Sequence, residues 1–342
     1  MNSKKVSIII LNWNGAAFLR EYLPNIIQHT DTTIADILVA DNGSTDGSIS
    51  LLKSEFPSIS IIQLAINYGF AEGYNQAIAQ ISTKYTLLLN SDIKVSDNWI
   101  QPLIARMEQK PEIAACVPKI KAIKEPEMFE YAGAAGGFID ILGYAFCRGR
   151  IFDTIEKDNG QYDNACKVFW GSGAALLVRT ELFKQAKGLD AKFFAHMEEI
   201  DLCWRFWRMG YEVWYEPLST IYHLGGGTLA QGNPHKTFLN YRNSLMMIFK
   251  NLKTRELIWI LPLRMILDGI SALKCLMDKN IGDFKAIFRA HIAFYQLIPY
   301  TISCRKQIKS RKSISSNLIL KSSIAWLYFV KKKKVFDKLD FH

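Results

Sequence analysis

Y-T-L-L-L-N-S-D, residues 85–92, decides how the chain is read. An apolar run of strand length ends abruptly in Asn90, Ser91 and Asp92. A buried strand that delivers a carboxylate at its carboxyl end is how an open α/β sheet presents polar groups to a ligand. The competing reading of Asp92 is an N-cap for a helix that follows.

Outward from this stretch, the same alternation recurs. Residues 6–11, 36–40 and 59–64 read as strands, and residues 18–27, 48–56 and 69–81 have helical spacing. Short strands alternating with helices predict βαβ units in an α/β fold, with a mostly parallel open sheet and helices on both faces. Asn12, Asp41, Asn67 and Asp92 then all fall at carboxyl ends of strands and would line one crevice. A helix near 99–108 and a strand near 114–117 come next, and residues 119–165 lose clean periodicity, as expected of an excursion that shapes a pocket. Order returns at 168–170 and 173–178, then in a helix over 199–209, strands at 212–215 and 220–222, and a Gly225-Gly226-Gly227 loop.

The chain has 342 residues and a formal net charge of +10. Residues 1–250 carry 24 basic against 26 acidic side chains, and residues 251–342 carry 18 against 6, a balance of +12. The excess belongs to the C-terminal quarter, which points to an anionic surface as its partner. The near-neutral first 250 residues argue against a nucleic-acid-binding protein. Six scattered cysteines without C-x-x-C fit a reducing compartment, and the strand that starts at Val6 leaves no room for a signal peptide. The expectation is a cytoplasmic protein without a spanning helix.

From Phe238 the chain reads as mainly helical. Over 254–278, Arg264, Asp268, Ser271 and Asp278 form one narrow polar stripe and apolar residues fill the rest, as in a helix lying along a membrane or packing into a bundle. Trp326, Tyr328 and Phe329 run into the lysines 331–334, which suits the headgroup region of an anionic leaflet, the alternative being a helical cap with a solvated tail.

In V-A-D-N-G-S-T-D-G (39–47), Asp41 ends a strand at an Asn-Gly turn; it could accept from a base N–H or a ribose hydroxyl, or merely close the turn. N-Y-G-F-A-E-G (67–73) opens a helix with Gly69 and Gly73, permitting close backbone approach to a ligand. Neither a G-x-G-x-x-G fingerprint nor a P-loop occurs, which disfavours dinucleotide oxidoreductases and P-loop NTPases. Asn90-Ser91-Asp92 supplies one carboxylate, enough for a hard divalent cation only if a diphosphate adds oxygens. His223 could add a nitrogen ligand or be structural. Glu198, Glu199 and Asp201 gather three acids at a helix start, where they favour the helix dipole or, in a cleft, raise one another's pKa toward that of a general base.

Taken together, V-S-I-I-I-L-N-W-N-G (6–15), V-A-D-N-G-S-T-D-G (39–47), N-Y-G-F-A-E-G-Y-N (67–75), L-L-L-N-S-D (87–92), G-S-G-A-A-L-L-V-R (171–179), E-E-I-D-L-C-W-R (198–205) and Y-H-L-G-G-G (222–227) resemble the family-2 inverting glycosyltransferases of the GT-A fold, with the closest likeness to the rhamnosyltransferase-like subgroup. The resemblance covers residues 6–250. It implies that Asn12 and Asp41 contact the nucleoside and that Asn67, Gly69, Gly73 and Ser91 shape the nucleotide pocket. It also implies that Asp92, with His223, binds Mg²⁺ or Mn²⁺ on the donor diphosphate. Glu199 matches the catalytic base and Asp201 the following acid. Asn90 replaces the family's first D-x-D carboxylate, and Glu199 stands where Asp is usual, which leaves Glu198, Glu199 and Asp201 as candidates for the base.

The resulting expectation is a catalytic domain over 1–250 and a basic helical region over 251–342. Its function would be sugar transfer from a nucleoside-diphosphate sugar, such as dTDP-rhamnose, to a saccharide or lipid-linked acceptor at the inner face of the membrane, in bacterial surface polysaccharide synthesis. A nucleotide-sugar-binding protein of the same fold without turnover is the rival.

Overall fold

The computed structural model describes residues 4–225, 232–307, 314 and 316–341. Gly226 and Gly227 of the expected glycine loop lie outside them. The chain opens as β1 (Val6–Asn12), α1 (Ala16–His29), β2 (Ala35–Asn42), α2 (Ser48–Glu55), β3 (Ser60–Leu64), α3 (Gly69–Ala79) and β4 (Tyr85–Asn90). These four strands are parallel, ordered β3-β2-β1-β4, with Asn12 paired to Asp41 and Leu11 to Asn90. Register therefore brings the polar strand ends to one edge. The apolar run of β4 is explained by burial on both faces: Leu88 joins the core beneath α3, while Leu87 and Leu89 join the core that includes Leu19 and Leu23 of α1.

After β4 the chain turns through Asp92 into β5 (Ile93–Val95), then α4 (Ile100–Gln109) and β6 (Ile113–Ala122). Residues 119–165, expected to be irregular, contain β7 (Gly137–Asp140), β8 (Ala145–Cys147), β9 (Arg150–Ile151) and β10 (Thr154–Ile155) of a second sheet. Strands of two to four residues are too short to show a period, so the sequence pattern could not reveal them. β11 (Cys166–Lys167) and β12 (Ala175–Arg179) return to the main sheet, followed by α5 (Thr180–Gln185), α6 (Glu198–Met209) and β13 (Glu212–His223). The ordered stretch 168–170 is not a strand; it is a buried crossing in which Phe169 and Trp170 donate backbone N–H bonds to Gly137 O. The two strands expected at 212–215 and 220–222 are one strand with a register shift between Glu216 and Thr220. The main sheet runs β11-β13-β6-β12-β4-β1-β2-β3, with β12 antiparallel to both neighbours.

β5 does not stay beside β4. It pairs antiparallel with β13, aligning Ile93 with His223, and Leu224 N donates to Asp92 O at 3.1 Å. This pairing is what joins residues 92 and 223.

The C-terminal chain forms α7 (Pro234–Asn251), α8 (Thr254–Met277), α9 (Ile281–Gln296) and α10 (Ile298–Gln307). It is not helical to its end: β14 (Ile319–Leu320) adds a parallel strand to β7 of the small sheet, and Asp140 Oδ2 accepts from Ile324 N at 2.8 Å. Of the aromatic trio near the tail, Trp326 and Phe329 are exposed, but Tyr328 is buried with its hydroxyl 2.8 Å from Thr154 Oγ1. Among the described residues no helix is long and apolar enough to cross a membrane.

Candidate functional site

At the carboxyl edge of β1 and β2, Asn12 and Asp41 are both buried. Asn12 Nδ2 donates to Asp41 Oδ2 (3.0 Å) and Ser44 Oγ (3.2 Å), and Ser44 N donates to Asp41 Oδ1 (3.0 Å). Asn12 Oδ1 has no partner in this buried position. Beside them Trp13 is 45 % exposed, a flat apolar surface that motif reasoning passed over. Asn67 Oδ1 accepts from Asn42 Nδ2 (3.0 Å) and Gly69 N (2.8 Å), so Asn67 ties the start of α3 to the end of β2. Gly69 (φ +79°) is needed because a Cβ there would stand 2.4 Å from the Phe194 ring; at Gly73 a Cβ would stand 3.0 Å from Leu11 and Asn42. These two glycines thus admit protein neighbours. Ser91 is half-buried in the turn between β4 and β5.

Asp92 Oδ1 lies 3.2 Å from His223 Nε2, and Glu130 Oε1 lies 3.4 Å from His223 Nδ1; all three residues are buried. Burial works against the imidazolium, but the carboxylates of Asp92 and Glu130 outweigh it and hold His223 at about 10. The donor set suits a hard divalent cation. Two ligands on adjacent corners of an octahedron with bonds of about 2.1 Å stand about 3.0 Å apart, near the Asp92–His223 spacing. Glu130 faces the other ring nitrogen, as a carboxylate that orients a metal-binding histidine does. Among the described residues no group of three or more His, Cys, Asp or Glu could hold an ion. Asp92 and His223 would therefore need oxygens from a ligand.

The acids at the start of α6 sit on a constrained segment. Phe194, His196 and Met197 have φ of 66°, 70° and 75°, a left-handed backbone that non-glycine residues keep only when their surroundings enforce it. Asn243 Nδ2 faces the carbonyls of Phe193, Ala195 and His196 at 3.0, 2.9 and 2.8 Å, Arg242 donates to Lys192 O and Phe193 O, and Phe70 N donates to Phe194 O. Glu198 is buried and Glu199 half-buried, and Oε2 of each lacks a partner. Burial pushes both upward, Glu199 to about 7; the neighbouring Glu199 charge pushes Glu198 further. Burial first, then Lys236 and His235, lower His196 to about 4, so it is neutral.

Asp201 differs from its neighbours. It has no exposed surface, and its oxygens accept from Arg205 Nε (2.8 Å), Lys250 Nζ (3.0 Å) and Asn251 Nδ2 (2.8 Å). Burial alone would raise its pKa, but Lys250 and Arg205 hold it below the ordinary carboxylate range. Asn243, Lys250 and Asn251 were not singled out from sequence; their signal is polar residues recurring at i, i+7 and i+8 on the buried face of α7. Glu130 carried no signal at all, because it lies in a stretch without periodicity.

Residues 7–169 match the model of "Glycosyl transferase family 2". The chain is 24 % identical over 285 residues to an N-acetylglucosaminyl-diphospho-decaprenol L-rhamnosyltransferase of Mycobacterium tuberculosis H37Rv, covering 78 % of this chain and 90 % of that one. It is 26 % identical over 230 residues to rhamnosyltransferase WbbL of Escherichia coli K12, covering 64 % and 83 %. In fold it is similar to a mannosyltransferase of Pyrobaculum calidifontis solved with GDP-Man and Mn²⁺ (TM-score 0.51, 13 % identity, 90 % of this chain and 88 % of that one). It is also similar to GalNAc-T7 solved with UDP, GalNAc and Mn²⁺ (TM-score 0.57, 17 % identity, 72 % of this chain and 48 % of that one). With its sheet edge, its motifs and these comparisons in agreement, residues 7–169 match glycosyl transferase family 2, and the chain has a GT-A-like fold and is rhamnosyltransferase-like in sequence.

Proposed function

We propose that this chain transfers a sugar, with inversion, from a nucleoside-diphosphate donor such as dTDP-rhamnose to a saccharide on a lipid carrier. The observations that carry the proposal are the Asp92–His223 pair just beyond β4 and a carboxyl, Glu199, with an unpartnered oxygen and a pKa of about 7; Glu199 lies beside Gly173, whose neighbour Ala174 accepts from Asn90 N at the end of β4. Asn12 and Asp41 meet the nucleoside, the free Asn12 Oδ1 being an acceptor for a base or ribose donor. Asn67, Gly69, Gly73 and Ser91 would shape the nucleotide pocket. Asp92 and His223 would hold Mg²⁺ or Mn²⁺ at the donor's diphosphate, and such an ion would supply positive charge to offset that on the leaving group. The two relatives solved with Mn²⁺ support a divalent ion in this fold.

Glu199 is the general base. It takes the proton of the acceptor hydroxyl as that oxygen bonds to the anomeric carbon and the bond from that carbon to the diphosphate breaks. Attack opposite the leaving group inverts the centre. A positioned base of this kind contributes about 10²–10⁴-fold in rate. Burial keeps Glu199 protonatable near neutrality, and its charge raises the more deeply buried Glu198 in turn. Asp201 acts through α6 as a positioning residue, because its oxygens are taken by Arg205, Lys250 and Asn251.

The mycobacterial relative's name specifies a sugar on a decaprenyl diphosphate, which supports a lipid-linked acceptor and a place at the inner membrane face. Residues 1–250 would carry the chemistry. The basic residues of 251–342 would attract anionic lipid. The test is a panel of nucleotide sugars with Mn²⁺, scored by donor binding and hydrolysis. A preference for dTDP-rhamnose supports the subgroup. Binding without turnover against any acceptor would replace the proposal with a nucleotide-sugar-binding protein.

A further inference from the structure

Helix α8 is built with its polarity inverted. Its polar stripe faces the protein: Arg264 and Asp268 are each 2 % exposed. Arg264 Nη1 donates to Leu142 O (2.8 Å) and Nη2 to Ser244 Oγ (2.7 Å), and its guanidinium lies 3.7 Å from the centre of the Tyr144 ring. Asp268 pairs with His291 at 3.2 Å, and Ser271 with the Tyr241 hydroxyl at 2.5 Å. The apolar side faces outward: Ile258, Trp259, Ile266, Ile270, Leu273 and Met277 are between 46 % and 82 % exposed. With Leu263, 36 % exposed, the residues from Trp259 onward recur at three- and four-residue intervals and form one row about 27 Å long. On α9, Phe288, Ile292 and Tyr295 are exposed as well.

A lone exposed leucine needs no explanation, whereas a continuous apolar row does. The buried charges that interrupt the helix prevent it from spanning a bilayer, so it can only lie along one. We propose that the α8–α9 hairpin lies in the plane of a membrane with this row in the acyl-chain region, so that attachment is chiefly by hydrophobic insertion. Charge selects a bilayer over a second copy of the chain. Arg255, Lys274, Lys279, Lys285 and Arg289 are exposed on the same hairpin, and residues 251–342 carry 18 basic against 6 acidic side chains. Two such surfaces face to face would repel each other, and anionic headgroups would attract either one. This inference rests on the membrane reading above, but its test needs no sugar transfer and so fails or succeeds separately from the chemistry.

The full chain is floated with phosphatidylcholine vesicles and with mixed phosphatidylcholine–phosphatidylglycerol vesicles, at low and high salt. The wild type is expected to bind the mixed vesicles best and to remain bound at high salt. Ile266→Glu/Ile270→Glu changes only exposed side chains, so its melting temperature should match the wild type while its partitioning falls roughly a hundredfold at both salts. Vesicle binding unchanged in this variant overturns the proposal, as does wild-type binding that high salt abolishes. If light scattering finds a wild-type dimer that the variant makes monomeric, the face belongs to a second copy and the proposal is also overturned. As a check that needs no loss of binding, acyl-brominated lipid should quench part of the tryptophan fluorescence of a Trp326→Phe chain, and adding Trp259→Phe should remove that quenched part; quenching unchanged by Trp259→Phe counts against insertion.

Discussion

Lys250, at the end of α7, places its ammonium 3.0 Å from Asp201 Oδ2 in α6, and both side chains are almost completely buried. The same ammonium reaches Asp190 Oδ2 at 2.5 Å, and Asp190 Oδ1 accepts from the Tyr300 hydroxyl of α10 at 2.7 Å. The helix that carries the acids is thus fastened to the helices that follow it. Lys250→Met leaves Asp201 and Asp190 short of a cation in a dry site, and loss of one partner of a buried pair costs about 3–5 kcal/mol. Chemical denaturation should show a loss of that size. Double replacement of Lys250 and Asp201 by apolar residues should recover part of it.

Glu199→Gln should lower transfer by about 10²–10⁴-fold with donor binding retained, read from single-turnover rates and nucleotide titration. Full activity would remove Glu199 from the role of base.

The pH profile derives from the same acids. Since the base must be ionised, kcat/KM should rise with pH through an apparent pKa near 7, a value that belongs to the Glu198–Glu199 pair jointly. Stability runs the other way. Glu199 is raised from 4.5 to about 7, so the folded chain binds more protons than the unfolded one between those values. Stability should therefore fall as pH rises through that window, and Glu199→Gln should flatten the fall.

Glu130 faces the His223 ring on the side away from Asp92. Glu130→Gln should weaken Mn²⁺ binding in the presence of a nucleoside diphosphate about 10–100-fold, followed by the paramagnetic signal of free Mn²⁺. Asp92→Ala should weaken it further, and a chelator should abolish transfer by the wild type.

Asp140 anchors the C-terminal return. Its carboxylate accepts from the backbone of Leu142 (2.9 Å), Tyr144 (2.8 Å) and Ile324 (2.8 Å) in a buried position. Asp140→Ala orphans three N–H groups, of which those of Leu142 and Ile324 are buried and cost about 1–3 kcal/mol each. Limited proteolysis should then cut within residues 316–341 sooner than in the wild type.

Much of the architecture could be read from local pattern. The apolar run of β4, the β-branched run of β1 and the helical spacing of α1 to α4 each report how one segment buries itself, and the parallel direction of β1 to β4 follows from their helical crossovers; that β4 returns beside β1 rather than β3 does not. That was enough to set Asn12, Asp41 and the turn containing Asp92 on one edge and to recognise the glycosyltransferase motifs.

Contacts that depend on pairing between distant segments were decided only in three dimensions. His223 meets Asp92 because β5 leaves β4 to pair with β13, and Glu130 meets His223 from a stretch without periodicity. Asp201 reads as one of three equivalent acids until α7 supplies Lys250 and Asn251. The stripe of α8 was legible, but its direction was not: periodicity tells that a helix has two unlike faces, and only the neighbours that Arg264 and Asp268 find tell which face turns inward.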